Sequence, residues 1–240
     1  MPTIISKLSQ KIDRYAFQVA HSRLSTVIHH VRQQKLTYLE EVALRDLTKV
    51  ALECERQGIQ GAIIEAGCAL GGSAIALAAA KNPQRELLIY DVFGMIPPPS
   101  EQDDQDIHDR YAEIKAGKSE GIDGNLYYGY EDNLYDKVYQ SFCEYGFSPE
   151  ANNVHLIKGL FQDTMNLDRP IAMAHIDCDW FDSVMTCLNQ IEPNLVAGGT
   201  LIIDDYNAWS GCKKAIDQYF QDKQSEYQFV QKSRLHIVKL

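Results

Sequence analysis

The feature that most constrains the fold is an alternation of short apolar runs with helix-forming segments over residues 59–221. The runs are bounded by glycine, asparagine or acidic residues, and their sequences are GAIIEAG, ELLIYD, NNVHLIKG, IAMAHIDCD and GGTLIIDD. The segments between and after them predict helices at SAIALAAAKN, Leu134–Tyr145, Asp182–Leu195 and Cys212–Gln221. Buried strands that alternate with helices are typical of an α/β fold with a Rossmann-like, doubly wound parallel sheet.

The two ends of the chain depart from this alternation. Residues 1–58 predict a helical N-terminal extension, in which Ile12, Tyr15, Ala16 and Val19 recur at helical spacing. Such amphipathic helices would form either an interface or a lid. Near the other end, EYQFVQ and RLHIVKL flank a KS turn and predict an antiparallel hairpin. We therefore assign residues 59–240 to one α/β domain.

Residues 97–133 interrupt the domain with a long segment that is rich in Asp, Gly and Tyr. Long irregular insertions in compact domains are often lids or binding loops. Three prolines begin the segment, and Tyr127, Tyr128 and Tyr130 lie near its end. We expect a lid over a substrate site, with tyrosines that either stack on the substrate or close the lid.

Charge and composition limit the classes of partner. The formal net charge of −10 disfavours binding to nucleic acid or to anionic membranes. No apolar run reaches the roughly 18 residues of a membrane helix, and the first residues lack a signal-peptide pattern. The six cysteines are scattered without a CxxC pair, which favours reduced core residues. We expect a cytoplasmic protein.

A glycine-rich turn follows the first predicted strand, in the stretch IIEAGCALGGS. Its spacing matches neither a Walker A loop nor GxGxxG, and any tight strand-to-helix turn uses glycine. Glu65 before the turn would repel a pyrophosphate but suits a ligand with an ammonium and a sulfonium group. Asp91, at the tip of the second strand, is placed to accept hydrogen bonds from two ribose hydroxyls. The two acids together indicate S-adenosylmethionine.

Three further acids end the fourth and fifth strands. Asp204 and Asp205 follow Asp177 by 27 and 28 positions, an interval that a crossover helix and two loops fill. Neighbouring parallel strands would bring the three carboxylates to one edge of the sheet. Such carboxylates need a cation, and oxygen ligands without His or Cys suit Mg²⁺, Mn²⁺ or Ca²⁺. We expect Asp179 to be a satisfied surface acid, and Asp182 to cap the next helix.

These motifs resemble known methyltransferases. IEAGCALGGS is similar to motif I of class I methyltransferases, close to the catechol O-methyltransferase type. Over residues 36–221 the chain more closely resembles the macrocin O-methyltransferase family of natural-product sugar methyltransferases. The stretches that carry the resemblance are IIEAGCALGGSA, YDVFGMIPPP, CEYGF, VHLIKGLFQDTM, HIDCDWFDSV and LVAGGTLIIDDYNAWSGCKKAIDQY.

The resemblance implies a seven-stranded sheet, S-adenosylmethionine as methyl donor, and Mg²⁺, or alternatively Mn²⁺, as the metal. It assigns Glu65, Gly67 and Ser73 to the methionine part of the cofactor and Asp91 to the ribose. Phe161 and Gln162 would contact the adenine, unless Phe161 is only a core aromatic. Asp177 is counted both with the cofactor site and with the metal ligands Asp204 and Asp205.

The general base has the weakest sequence signal. Catechol-type enzymes carry a lysine three places after the first metal aspartate, but this chain has Trp180 there. The resemblance to sugar methyltransferases indicates a histidine of the lid, and His108 is the histidine within 97–133. His175 lies within a predicted strand and is expected to pack or to form bonds in the core. Tyr38 is expected to cover the active site.

These inferences predict a Mg²⁺-dependent O-methyltransferase that acts on a hydroxyl of a sugar or polyol. The partner would be a small-molecule acceptor, and the protein is expected to be a homo-oligomer. Two alternatives remain open: an NAD-dependent oxidoreductase on a similar sheet, and a non-catalytic binding module with a methyltransferase fold. Glu65 and the glycine spacing count against the first alternative, and the retained acids count against the second.

Overall fold

The computed structural model describes the backbone of residues 4–240 and the side chains of residues 11–240. Within residues 4–240 the strands are β1 (Ala62–Ala66), β2 (Leu87–Asp91), β3 (Val154–Lys158), β4 (Ile171–Ile176), β5 (Leu195–Ile203), β6 (Tyr227–Gln231) and β7 (Leu235–Lys239). They form one seven-stranded sheet in the order β3-β2-β1-β4-β5-β7-β6. The first five strands are parallel, while β7 runs antiparallel to both β5 and β6. The expected sheet and terminal hairpin are confirmed.

Helices cover both faces of the sheet. Those in residues 4–240 are α1 (Ile4–Ala20), α2 (Ser22–Gln33), α3 (Glu41–Gln57), α4 (Gly72–Ala80), α5 (Gln105–Lys115), α6 (Leu134–Glu144), α7 (Phe161–Thr164), α8 (Phe181–Ile191) and α9 (Ser210–Tyr219). Strand β1 serves both layers: Ile63 belongs to the core with α2, α3 and α4, and Ile64 to the core with α8 and α9. All five β1 residues are buried, which explains why four of them are apolar and Glu65 is the one exception.

The register of the central strands sets the site. Ile176 of β4 pairs with Ile203 of β5, so Asp177 and Asp204 follow at the same level. The tips of the two strands are therefore adjacent and level, as the spacing predicted. Leu235 of β7 pairs with Ile203 from the other side. This pairing brings Arg234, the residue before β7, next to Asp204.

The N-terminal helices differ in how they pack. Helices α2 and α3 bury Ile28, Val31, Leu44 and Leu47 in the same core as α4. Helix α1 instead buries Phe17, and leaves the predicted apolar face of Ile12, Tyr15 and Val19 exposed. The division of the chain at residues 58 and 59 stays a prediction, and residues 1–3 of the predicted extension lie outside the described residues.

The insertion at 97–133 is more regular than the sequence suggested. It contains α5, whose Ile107 and Ile114 are buried, and two short 3₁₀ turns at Ile122–Gly124 and Tyr128–Tyr130. The expectation of an irregular segment is wrong because these two isoleucines give α5 a face to bury. Among the described helices, none combines the length and the hydropathy that crossing a membrane requires.

Candidate active site

The glycine turn after β1 lies very close to the tip of β4. Gly67 has φ +87°, and a Cβ atom there would lie 2.0 Å from the carbonyl oxygen of Asp177. The Asp177 N–H also donates to the Ala66 carbonyl at 2.9 Å. Only glycine satisfies both the backbone angle and this approach. Gly67 lines the main cavity, and it lets the turn after β1 and Asp177 at the tip of β4 share one edge.

Two of the predicted methionine-binding residues lie beneath this turn. Glu65 is fully buried; it accepts a hydrogen bond from the Ser73 hydroxyl, and its other oxygen lies 3.0 Å from His175 Nδ1. His175 is therefore bonded in the core, as expected. Glu65 and Ser73 are not among the described residues that line the cavity. Their assignment to the methionine part of the cofactor stays a prediction, and their observed role is to support the turn.

Asp91 faces the cavity and also fastens the turn. One carboxylate oxygen accepts from the N–H groups of Cys68 at 2.8 Å and Ala69 at 3.1 Å, and the other accepts from Phe93 at 2.6 Å. Burial raises the pKa of Asp91, while these backbone donors act in the opposite direction. The carboxylate is thus fixed in position at the tip of β2, and its assignment to the ribose stays a prediction.

An acid cluster lies at the tips of β4 and β5. Oxygen atoms of Asp177, Asp179 and Asp205 all lie within 4.8 Å of one another, and we call these three residues the acid cluster. From the sequence, Asp179 is expected to be a satisfied surface acid outside the metal site. The spacing in the sequence could have identified Asp179, because residues two apart in an extended segment face the same side. Asp177 and Asp179 therefore project together. The expectation of a surface acid is wrong, since Asp179 lines the cavity.

Asp204 belongs to a second group that overlaps the first. It lies with His175 and Asp177 within the same 4.8 Å limit. Its Oδ1 accepts from Arg234 Nε at 2.6 Å and lies 3.5 Å from His175 Nε2. Burial would raise the pKa of Asp204, but the bonds and charges of His175 and Arg234 lower it overall. Asp204 is thus already paired with a cation, and the three predicted metal ligands lie in two groups that share Asp177.

The acid cluster has the properties of a site for a hard divalent cation. Burial, together with the charges of neighbouring carboxylates, raises the pKa values of Asp177 and Asp205 well above their ordinary range. Asp205 Oδ2 is buried without a hydrogen-bond partner among the described residues. Oxygen-only donors in this number fit Mg²⁺, Mn²⁺ or Ca²⁺. The residues therefore fit the metal that the resemblance implies.

A cavity of about 280 Å³ opens above these carboxylates. Aromatic side chains form much of its wall, namely Tyr38, Tyr127, Tyr128, Phe161, Trp180 and Trp209. Gln162 lines it beside Phe161, at the start of α7. The cavity therefore joins the predicted cofactor residues Gly67, Asp91, Phe161, Gln162 and Asp177 in one space.

The lid residues have divided roles. Tyr127 and Tyr128 line the cavity with ring centroids 4.4 Å apart, and Tyr128 also contacts Tyr38. Tyr130 instead donates to the Ile114 carbonyl at 2.6 Å and so closes the lid on itself. Tyr130 therefore closes the lid, whereas stacking of Tyr127 and Tyr128 on a substrate stays a prediction. Trp180, in place of the lysine, donates from Nε1 to the Pro97 carbonyl at 2.8 Å and anchors the root of the lid.

Carboxylates of the lid cap the helices that follow β4 and β5. Asp103 accepts from the Phe181 N–H at 2.8 Å, at the start of α8. Asp106 accepts from the Ser210 N–H at 3.1 Å, at the start of α9. Asp182 makes no side-chain cap in the described structure, so the expectation for it is wrong: Asp103 supplies the acceptor.

His108 lies on the exposed side of α5 and is not one of the described residues that line the cavity. Arg110, two positions on, does line it. Its guanidinium carbon lies 5.6 Å from the centroid of the Tyr127 ring. This geometry gives no support to His108 as the general base.

Comparison with known proteins identifies the family. The model of the macrocin O-methyltransferase (TylF) family matches residues 30–231. The chain belongs to the macrocin O-methyltransferase family. As a macrocin-family member it is an S-adenosylmethionine-dependent O-methyltransferase, and the alternatives of an NAD-dependent oxidoreductase and a non-catalytic module are set aside.

Two curated relatives match most of this macrocin-family chain. The mycinamicin III 3''-O-methyltransferase of Micromonospora griseorubida is 28% identical over 208 residues, or 84% of this chain and 70% of the relative. An 8-demethyl-8-(2,3-dimethoxy-alpha-L-rhamnosyl)-tetracenomycin-C 4'-O-methyltransferase of Streptomyces olivaceus is also 28% identical over 208 residues, covering 84% and 68%.

Solved structures share the fold of this macrocin-family chain. The O-methyltransferase NovP superposes with a TM-score of 0.70 at 19% identity, over 85% of this chain and 81% of NovP. A Bacillus cereus O-methyltransferase in complex with SAH superposes with a TM-score of 0.54 at 15% identity, over 95% and 97%. At these identities the likeness shows the class I methyltransferase fold.

Proposed function

We propose that the enzyme transfers the methyl group of S-adenosylmethionine to a hydroxyl on a sugar or polyol part of a natural product, and that it uses Mg²⁺ or Mn²⁺. The observation that carries the proposal is the acid cluster on the floor of an aromatic cavity. The two curated relatives are named for O-methyl transfer at a numbered position of a natural product. Their names support the acceptor class.

The chain's own residues would place donor and acceptor. In-line methyl transfer needs the acceptor oxygen and the methyl carbon near each other with water excluded. We assign the nucleoside to Asp91, Phe161 and Gln162, and the methionine part to Gly67 with Glu65 and Ser73 behind it. Tyr127 and Tyr128 would cover the acceptor and keep water out.

The metal would be held by Asp177, Asp204 and Asp205, with Asp179 as a further ligand candidate. A bound divalent cation would lower the pKa of an acceptor hydroxyl and fix its direction. Arg234 would hold Asp204 in one orientation through their 2.6 Å contact.

His108, the general base expected from the sequence, is not among the described residues that line the cavity. His108 would reach the cavity only if α5 moved, so we expect His108→Gln to change kcat by less than about threefold. Removal of a true general base typically costs about 100-fold or more. A loss of that size would show that α5 moves and would restore the assignment.

Calorimetry separates the cofactor and metal parts of the proposal. We expect S-adenosylhomocysteine to bind to the wild-type chain, and Mg²⁺ to bind with a stoichiometry of one. Asp204→Asn should abolish methylation of aryl glycosides with a vicinal diol, yet leave S-adenosylhomocysteine affinity within a few-fold. Asp182→Asn, an exposed acid in the first turn of α8, is the matched control. Equal turnover rates in the presence of a chelator and in the presence of Mg²⁺ would contradict the proposed role of the metal.

Two further expectations stay proposals. The six cysteines are free in the described part of the chain, which supports a reducing, cytoplasmic setting. The chain is also proposed to be a homo-oligomer, and α1 offers a surface for it.

A further inference from the structure

His175 is a fully buried side chain that no step of the proposed reaction uses. Near the end of β4, it pairs in register with Glu65 of β1 on one side and with Ile202 of β5 on the other. The N–H groups of Asp177 and Asp204 continue the same ladder of backbone hydrogen bonds. Because residues two apart along a strand face the same side, both aspartates project on the face that carries His175.

Both nitrogens of the His175 ring face carboxylate oxygens. Nδ1 lies 3.0 Å from Glu65 Oε2, and Nε2 lies 3.5 Å from Asp204 Oδ1. The side chains of His175 and Glu65 are completely buried, and that of Asp204 is only 11% exposed. These contacts are therefore shielded from water, where they are stronger than the same contacts would be at the surface.

Each of the two carboxylates is held on its other side by a different part of the site. Glu65 Oε1 accepts from the hydroxyl of Ser73, at the start of α4 behind the glycine turn. Asp204 Oδ1 accepts from Arg234 Nε at 2.6 Å. Both contacts of Asp204 use Oδ1, so neither occupies Oδ2. The five side chains form a continuous chain of contacts from the glycine turn to the proposed metal site, and we call them the polar row.

The second ring nitrogen distinguishes His175 from a simple core partner of Glu65. Pairing with Glu65 needs Nδ1 alone. Nε2 is buried and has no hydrogen-bond partner among the described residues, because 3.5 Å is too long for a full hydrogen bond to Asp204. Buried polar groups in folded proteins are normally satisfied. The Asp204 end of the polar row is therefore the end that a ligand can tighten.

We propose that His175 is a positioning residue that couples binding of the divalent cation to binding of S-adenosylmethionine. The inference rests on the proposed function, from which it takes the metal and cofactor assignments. An ion fixes the Asp204 carboxylate, a cofactor on the glycine turn fixes Glu65 behind it, and His175 transmits each constraint to the other end of the row. Such coupling is reciprocal, so each ligand tightens the binding of the other by the same factor.

Calorimetry on the full-length wild-type protein tests the coupling itself. We expect Mg²⁺ to bind at least about fivefold more tightly when S-adenosylhomocysteine is saturating than in its absence. S-adenosylhomocysteine should gain the same factor from saturating Mg²⁺. Additive binding of the two ligands would overturn the inference and leave the proposed function intact. A wild-type protein that binds no Mg²⁺ would instead contradict the proposed metal, and the inference with it.

Two substitutions separate the two contacts of His175. The amide nitrogen of H175N takes the place of Nδ1 beside Glu65, whereas that of H175Q takes the place of Nε2 beside Asp204. H175N should weaken binding of Mg²⁺ alone about tenfold, the loss typical when a partner of a metal ligand is removed, and keep S-adenosylhomocysteine affinity within about threefold. H175Q should weaken binding of S-adenosylhomocysteine alone about tenfold and keep Mg²⁺ affinity within about threefold.

Both variants should also lose the coupling between the two ligands. Equal losses of both affinities in both variants would show a merely structural role and overturn the inference. The matched control is His236→Gln. His236 pairs with Ile202 from the other side, is equally buried, and also has a buried Nε2 without a partner among the described residues, but it lies outside the polar row. It should keep both affinities and the coupling.

Nuclear magnetic resonance of the wild-type protein gives a test that does not depend on the folding of any variant. With assignments made through the backbone, the ring resonances of His175 should shift on addition of Mg²⁺ alone and of S-adenosylhomocysteine alone. Those of His236 should move with neither ligand. His175 ring resonances that respond to only one of the two ligands would overturn the inference.

Discussion

At the residue scale, the site depends on how closely the backbone approaches itself. Gly67 occupies a left-handed conformation, and no other residue has room there, because the Asp177 carbonyl lies where its Cβ would be. The glycine turn after β1 and the acid cluster are therefore not independent parts. A change at this one position would move both.

We expect Gly67→Ala to be far more damaging than an alanine at an open glycine. Gly117 has φ +70° with no atom within 4 Å of its Cβ position, so Gly117→Ala should cost about 1–2 kcal/mol for the left-handed backbone alone. Gly67→Ala should cost at least about 3 kcal/mol, because the 2.0 Å overlap forces β1 and β4 apart. Urea unfolding measures both values. Equal costs for the two variants would contradict the close approach.

At the element scale, the lid is held by helix capping. Asp103 supplies the hydrogen-bond acceptor for the N–H group at the start of α8. Among the described contacts, no side chain at the start of α8 itself supplies such an acceptor. The sequence could not reveal this arrangement, because Asp103 and Phe181 are 78 positions apart. The sequence instead predicts that Asp182, at the start of α8, caps this helix. Local patterns predict the elements, but long-range capping depends on how the insertion folds back.

Asp103→Ala should loosen the lid without unfolding the domain. Loss of a helix cap costs about 1–2 kcal/mol of stability. Because Asp103 lies just before α5, part of this loss should weaken the docking of α5 to the domain. We expect faster amide hydrogen exchange in residues 105–115 and a higher KM for the acceptor. Asp104→Ala is the control, since Asp104 is exposed and its side chain does not cap α5. Unchanged exchange in both variants would show that the lid is held by other contacts.

Strand β7 carries a pH-sensitive group in the core. Burial and the charge of Lys232 lower the pKa of His236 to about 4, with His175 acting in the same direction and Asp46 against it. The unfolded chain therefore takes up this proton near its ordinary pKa of about 6.5, before the folded chain does. The stability contribution is fully present above pH 6.5 and is lost as the pH falls toward 4.

We expect His236→Gln to flatten the acid side of the stability profile. The difference between wild type and variant should change by on the order of 2–3 kcal/mol between pH 6.5 and 4. Because the buried acids are common to both proteins, their contributions to the pH dependence of stability cancel in this difference. His29→Gln, at an exposed histidine of α2, should keep the wild-type profile. Denaturant midpoints at several pH values provide the measurement, and parallel profiles for H236Q and wild type would contradict it.

At the scale of the whole molecule, the sequence predicts the scaffold better than the details of the site. The runs at β1, β4 and β5 are mostly apolar because most of their residues are buried, so the parallel sheet follows directly. The level tips of β4 and β5 follow from the spacing of Asp177 and Asp204. What the spacing could not give is the pairing of Asp204 with Arg234, since that depends on where the hairpin docks.

Without metal, repulsion among the carboxylates of the acid cluster should lower the free energy of unfolding of the protein. Removal of one charge by Asp205→Asn should raise the melting temperature without metal, because it relieves repulsion among buried carboxylates. Mg²⁺ at 100 times its Kd should stabilise the wild type by about 2.7 kcal/mol, and the variant much less. Scanning calorimetry with and without Mg²⁺ measures both effects. A variant that responds to Mg²⁺ as the wild type does would place the ion elsewhere.

The link between Arg234 and Asp204 also bears on the order in which the protein is made. During synthesis the ribosome releases Asp204 thirty positions before the guanidinium that pairs with it. Until that arginine emerges from the exit tunnel, a nascent chain holds the carboxylates of two strand tips without their cationic partner. The proposed metal site is therefore expected to be complete only once translation has passed the terminal hairpin, so arrested chains should lack metal binding even when most of the sheet has formed.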